Sequence, residues 1–204
     1  MHPIKNIILD FGGVILDIDF NKAEKAFAEL GVKEFHNLFS QSHSSPLFEL
    51  LETGKITPPE FYELFRRATS PAITDEQIKH AWNSLLLQFS EESLQWIEKN
   101  RTQYNLYLFS NTNQIHYDAV MKMYFQQTGK NNFNSLFRKA YYSHELGLRK
   151  PHREAYLTVL EKENLSGKET LLIDDTLKNI EGAKKAGLQT IHLFPPLKLC
   201  DVNI

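Results

Sequence analysis

The chain has 204 residues, of which 42% are apolar and 24% charged, with a formal net charge of -2. That length fits one domain or a domain with an insert, and the composition supplies a sizeable core. A balance without basic surplus or basic run gives no footprint for a nucleic-acid partner. No segment approaches the ~18 apolar residues that span a bilayer, so no membrane partner is expected. Cys200 stands alone and cannot build a disulfide framework, and MHPIKNIILDF at the N-terminus has no signal-peptide pattern; a cytoplasmic protein is expected.

In chain order, a short apolar run at 7–9 ends in Asp10, within the stretch LDFGGVILDID. Helix-like patterns come next. The stretch 21–30 stops at Gly31, and 45–51 runs toward Gly54. The stretch 57–67 opens with Thr57 as N-cap and proline in the first turn, and 74–87 opens with the capping-box pattern TDEQ. The stretch 90–100 leads back toward a second apolar run at 106–109, which ends at Ser110. A weaker run lies at 139–143, a helical stripe at 154–162, a run at 170–173 before Asp174, a helix at 179–186 closed by Gly187, and a last run at 190–194 before Pro195. Short apolar runs separated by helices predict an α/β fold with a Rossmann-like, doubly wound parallel sheet. The interval 17–100 is too long for an ordinary crossover and reads as an inserted all-helical cap, leaving 1–16 and 101–204 as the core.

The residues just after each strand carry the chemistry. The first strand delivers Asp10, the second Ser110-Asn111-Thr112, and a later one Asp174-Asp175, while Lys150 sits in GLRKP. In an open parallel sheet, ligands bind beyond the carboxyl ends of the strands. Each of these residues alone reads as a cap or a turn. Together they suit phosphoryl transfer. Clustered carboxylates bind a hard cation such as Mg²⁺, hydroxyls and a lysine hold phosphate oxygens, and Asp10 can attack phosphorus.

The set ILDFGGV, LFSNT, GLRKP and LLIDDTLKNIEGAKKAG resembles the haloacid dehalogenase-like hydrolase superfamily, in that family's order. Within it, DFGGVILDIDF, SNTNQIH, HELGLRKP and DDTLKNIEGA are most similar to bacterial α-D-glucose-1-phosphate phosphatase-like members. The resemblance implies Mg²⁺ as cofactor and a small phosphorylated substrate. It makes Asp10 the nucleophile and a metal ligand, Ser110 the phosphate-binding hydroxyl with Asn111 beside it, and Lys150 the lysine that steadies phosphate and nucleophile. It makes Asp175 the main acidic metal ligand, Asp174 a direct or water-mediated one, and Asn179 a supporting polar residue.

Gly12 stands where phosphatases of the superfamily usually carry an acid/base aspartate. Its carbonyl can still ligate a metal, but it cannot transfer protons. Three readings remain open. A sugar 1-phosphate has a good leaving group and needs less help. Another residue substitutes, from Asp17, Asp19, His43 or Glu52, with Asp19 the first choice and surface charge or capping expected of the rest. Or the chain binds phosphate compounds without efficient turnover. A haloacid dehalogenase also lacks that aspartate, but the Asp174-Asp175 pair would repel an anionic haloacid unless a cation sat there. Phe20, Phe48, Phe61, Tyr62, Phe65 and Trp82 are expected in the helical core, His116 and His144 in structural hydrogen bonds, and the polar loop 41–45 at the cap's entry.

Overall fold

The computed structural model describes residues 2–40, 43–69 and 72–204. Strand β1 (Asn6–Leu9) is followed by the short strand β2 (Leu16–Ile18) and helix α1 (Phe20–Glu29). A two-residue hairpin, β3 (Phe39–Ser40) and β4 (His43–Ser44), leads into α2 (Pro46–Glu52), α3 (Pro58–Ala68) and α4 (Asp75–Asn83). The chain returns through β5 (Leu86–Phe89) and α5 (Glu91–Asn100) to β6 (Asn105–Ser110) and the long α6 (Gln114–Thr128). Then come β7 (Lys139–Tyr142), the single turn α7 (Ser143–Leu146), α8 (Arg153–Lys162), β8 (Thr170–Asp174), α9 (Leu177–Lys185) and β9 (Gln189–His192).

Five strands form one parallel sheet in the order β7-β6-β1-β8-β9. Alternate side chains on a strand face opposite sides, and the burial follows that period. Ile7, Leu9, Leu106, Leu108, Leu171 and Ile173 share one apolar cluster, while Ile8, Tyr107, Phe109 and Leu172 pack with Ala155, Tyr156 and Val159 of α8 and Ile180 of α9 on the other. After β7 the chain crosses back over the sheet to lay β8 on the far side of β1. The crevice between β1 and β8 is therefore the switch point where ligands are held in such sheets.

A separate apolar cluster fills the segment between β2 and β5, with Phe48, Phe61, Tyr62, Phe65 and Trp82 all buried in it. Phe20, expected there, instead lines a cavity. This segment is not wholly helical, and the helix expected over 74–87 ends at Asn83. Leu86–Phe89 is a strand that pairs antiparallel with β2. An apolar run of this length suits a buried strand or a buried helix, and the pairing with β2, far away in sequence, decides it. The helix ends do obey their caps. Gln77 Oε1 accepts from the Thr74 N–H while Thr74 Oγ1 accepts from the Gln77 N–H, and Glu60 Oε2 accepts from both the N–H and the hydroxyl of Thr57. Helix α5 packs with the sheet: Trp96 and Ile97 belong to its cluster, and Trp96 Nε1 donates to Val202 O at 3.0 Å. Residues 41 and 42 of the polar loop, and the side chain of His43, lie outside the described residues. Among the described residues no helix is long and apolar enough to cross a membrane.

Candidate active site

The end of β1 places Asp10 opposite the end of β8, and its N–H donates to Ile173 O at 3.0 Å. Lys150, with no exposed surface, lies between two carboxylates. Its Nζ donates to Asp10 Oδ1 at 2.7 Å and to Asp174 Oδ2 at 2.6 Å. Asp174 is also fully buried. Asn179 Nδ2 donates to both its oxygens, at 3.0 and 3.1 Å, and the Thr176 N–H donates to Oδ1 at 2.9 Å. Asn111 clamps the main chain of Lys150: its Nδ2 donates to Lys150 O at 2.8 Å and its Oδ1 accepts from Lys150 N–H at 2.9 Å. That pairing orients the lysine, and Asn111 also lines the cavity described below.

Asp10, Asp174 and Asp175 each offer an oxygen within 4.8 Å of the others. Gly13 makes this approach possible. Its φ is +76°, and a Cβ there would lie 2.2 Å from Asp175 Oδ2. Burial and the charge of Asp174 push the Asp10 carboxyl up to about 8, against the pull of Lys150. Burial and Asp174 also raise Asp175. Burial opposes the charge on Lys150, but Asp10 and Asp174 hold its pKa well above the usual lysine value. Three clustered carboxylate oxygens are the hard donors that a divalent cation takes, so the donor set fits Mg²⁺.

These groups open onto a cavity of about 390 Å³, walled by Gly12, Ile18, Phe20 and Phe39 together with Ser44, Glu49, Glu52 and Arg149. Ser110, the last residue of β6, is buried and lines an adjoining cavity with Gly12, Asn111 and Glu52. The candidate stand-ins for Gly12 separate clearly. Asp19, the first choice from sequence, caps α1, accepting from the Asn21 N–H at 3.0 Å, and is not on the cavity wall. Asp17 accepts from Gln88 Nε2 at 3.4 Å and lines a different cavity. Glu52, at the end of α2, is buried on the wall, and burial pushes its carboxyl up to about 7. Its Oε2 lies 3.0 Å from a guanidinium nitrogen of Arg149, whose other terminal nitrogen donates to Glu49 Oε1 at 2.9 Å. Sequence reasoning misses Arg149 although it stands inside the motif GLRKP. Nothing local announces a partner that arrives from α2.

His116 and His144 pack against aromatic rings. His116 stacks on Trp82 with ring centroids 4.4 Å apart and places Nε2 3.2 Å from Trp82 O, and burial lowers it to about 4. The His144 ring packs beside Tyr117 and Tyr142.

The haloacid dehalogenase-like hydrolase family matches residues 4–187. A D-ribitol-5-phosphate phosphatase of Bacteroides thetaiotaomicron is 34% identical over 189 residues, covering 93% of this chain and 91% of that protein. A haloacid dehalogenase (HAD) family enzyme of the same organism, crystallised as an aspartate-to-alanine mutant with magnesium and inorganic phosphate, superposes with a TM-score of 0.89 at 32% identity and 96% coverage of each chain. A HAD-like family hydrolase of Porphyromonas gingivalis gives a TM-score of 0.85 at 29% identity, over 94% of this chain and 91% of that one. The match over most of the length, on the fold and cluster just described, places this chain in the haloacid dehalogenase-like hydrolase family.

Proposed function

We propose that the protein is a Mg²⁺-dependent phosphatase of a small, polyhydroxylated phosphate ester, working through an aspartyl-phosphate on Asp10. The observation that carries this is Lys150, buried and bonded to both Asp10 and Asp174 at the switch point of the sheet. Asp10, Asp175 and the Gly12 carbonyl, with Asp174 behind them, would hold Mg²⁺, which when bound offsets repulsion between the carboxylate and the phosphate. Lys150 fixes one Asp10 oxygen and leaves the other to attack phosphorus in line. The lysine and the Ser110 hydroxyl stabilise charge on the non-bridging oxygens, and Asn111 and Asn179 keep Lys150 and Asp174 in place. Water then cleaves the aspartyl-phosphate. A haloacid dehalogenase attacks carbon and needs no metal, so a carboxylate cluster suited to Mg²⁺ disfavours that reading.

The walls favour a hydroxylated leaving group. Ser44 Oγ is buried on the cavity wall with no hydrogen-bond partner among the described residues, and Glu49, Glu52 and Arg149 add charged groups beside it. Polar groups placed this way select substrates that satisfy them. The glucose 1-phosphate expected from the motifs finds no support among the relatives, and the one at 34% identity is named for a phosphate of a linear polyol. An acyclic polyol phosphate is therefore the substrate we favour, and the segment between β2 and β5 is the cap that closes over it. A cytoplasmic setting, where such metabolites are held, belongs to the same proposal.

Phosphate release from polyol 5-phosphates, sugar 6-phosphates and sugar 1-phosphates, each with Mg²⁺ and with chelator, tests it. Metal-dependent turnover led by the polyol phosphates is expected. Absence of metal-dependent release across the panel would overturn the reading.

A further inference from the structure

Gly12 leaves the reaction without a proton donor on the β1 loop, and a side chain there would press on Ile18. A Cβ at position 12 would stand 3.0 Å from Ile18 Cδ1. A phosphate ester of a primary alcohol releases a strongly basic alkoxide, so its departure needs a proton far more than that of an aryl or sugar 1-phosphate. A carboxyl on the cavity wall can supply it. Asp17 and Asp19 are engaged elsewhere, and Glu49 is half-exposed. Glu52 remains. It is 4% exposed, and it lines both the main cavity and the adjoining one, with Gly12 and Asn111 on the walls of each. Its Oε2 has an ion-pair distance to Arg149 but no hydrogen bond among the described residues.

We infer that Glu52, reaching the site from α2, is the acid that protonates the leaving alkoxide oxygen in place of a position-12 side chain. The inference rests on the phosphatase reading above. As an Asp10 oxygen forms its bond to phosphorus, the bond from phosphorus to the ester oxygen breaks. The electron pair stays on that oxygen, and the Glu52 proton completes the alcohol. Glu52, now a carboxylate, takes a proton from the water that attacks the aspartyl-phosphate. The bond from phosphorus to Asp10 then breaks, releasing phosphate and the Asp10 carboxylate.

Burial holds Glu52 protonated up to about pH 7, with Glu49 adding to the effect and Arg149 opposing it. The other titratable walls of the cavity are Asp10, Lys150, His152, Asp175 and Lys178.

The test compares kcat/KM of the intact protein and its Glu52→Gln variant, with Mg²⁺, on D-ribitol 5-phosphate and p-nitrophenyl phosphate. kcat/KM reads the steps through formation of the aspartyl-phosphate, where only the ribitol ester needs the acid. Glu52→Gln is expected to lose about 10²–10⁴-fold on ribitol 5-phosphate and to stay within a few-fold on the aryl ester. Glu52→Asp should recover part of the loss. The alkaline limb of the ribitol 5-phosphate profile, near pH 7, should vanish in Glu52→Gln. An equal loss on both esters would mean that Glu52 acts only by holding Arg149, and would overturn the inference. So would no loss on either. Turnover of the aryl ester in the variant shows that the fold persists. No metal-dependent turnover of either ester by the unsubstituted protein would overturn the phosphatase reading itself, and this inference with it.

Discussion

Lys150 has no exposed surface and meets Asp174, equally buried, at 2.6 Å and Asp10 at 2.7 Å. Removing one partner from a buried ion pair leaves an uncompensated charge and costs about 3–5 kcal/mol. Lys150→Met is therefore expected to lower the thermal midpoint by about 2–4 °C for each kcal/mol lost, and to abolish turnover. A midpoint unchanged in thermal denaturation would show that the pair does not hold the strand ends together. Gly13 sets a different constraint. Gly13→Ala must displace the Asp175 carboxylate, which the added Cβ would meet at 2.2 Å, and must hold a φ of +76°. Titration calorimetry is expected to show Mg²⁺ binding at least tenfold weaker, and an unchanged Kd would remove Asp175 from the metal set. Asp10, Ser110, Asp174 and Asp175 stand out in the sequence because each ends or follows an apolar run, and Lys150 because it sits in GLRKP, all in a fixed order. Arg149 and the clamping role of Asn111 were not, because both depend on partners brought close only by folding, from α2 and from the Lys150 backbone.

Among the elements, α2 ties the inserted segment to the sheet. Glu49 and Glu52 grip Arg149, and just beyond the helix Gly54, at φ +65°, lies so close that a Cβ would meet His144 O at 2.1 Å. Gly54→Ala is expected to pry α2 from α7. It should cost about 1 kcal/mol or more in stability and weaken turnover of ribitol 5-phosphate through a raised KM. Steady-state kinetics check this, and parameters equal to those of the unsubstituted protein would show that the contact is incidental. The helices with capping boxes at Thr57 and Thr74 were readable because their signals are local. The end of α4 was not. Leu86–Phe89 becomes a strand only because β2 offers an edge to pair with, a partner some 70 residues earlier in the chain. The sheet-packing role of α5 was hidden for the same reason, since its stripe of Trp96 and Ile97 does not say which cluster will receive it.

For the whole molecule, the five-stranded order and its switch point reflect the rule that parallel strands need crossovers, which the alternation of short apolar runs and helices made visible. The same fold ties stability to pH. Burial raises Glu52 from 4.5 to about 7. Its contribution to stability is full below the unfolded value and is lost as pH rises through the folded one. With Mg²⁺ present, the unfolding midpoint of the protein is expected to fall between about pH 4.5 and 7 more steeply than that of Glu52→Gln, whose amide does not titrate. Equal slopes would show that Glu52 is not held in the protonated form. The central claim, that Asp10 receives the phosphoryl group, is tested most directly by the rate of Mg²⁺-dependent phosphate release from D-ribitol 5-phosphate by Asp10→Asn beside the unsubstituted protein. The asparagine cannot form the aspartyl-phosphate, so release is expected to fall to background while circular dichroism shows the fold intact; release at the unsubstituted rate would contradict the mechanism.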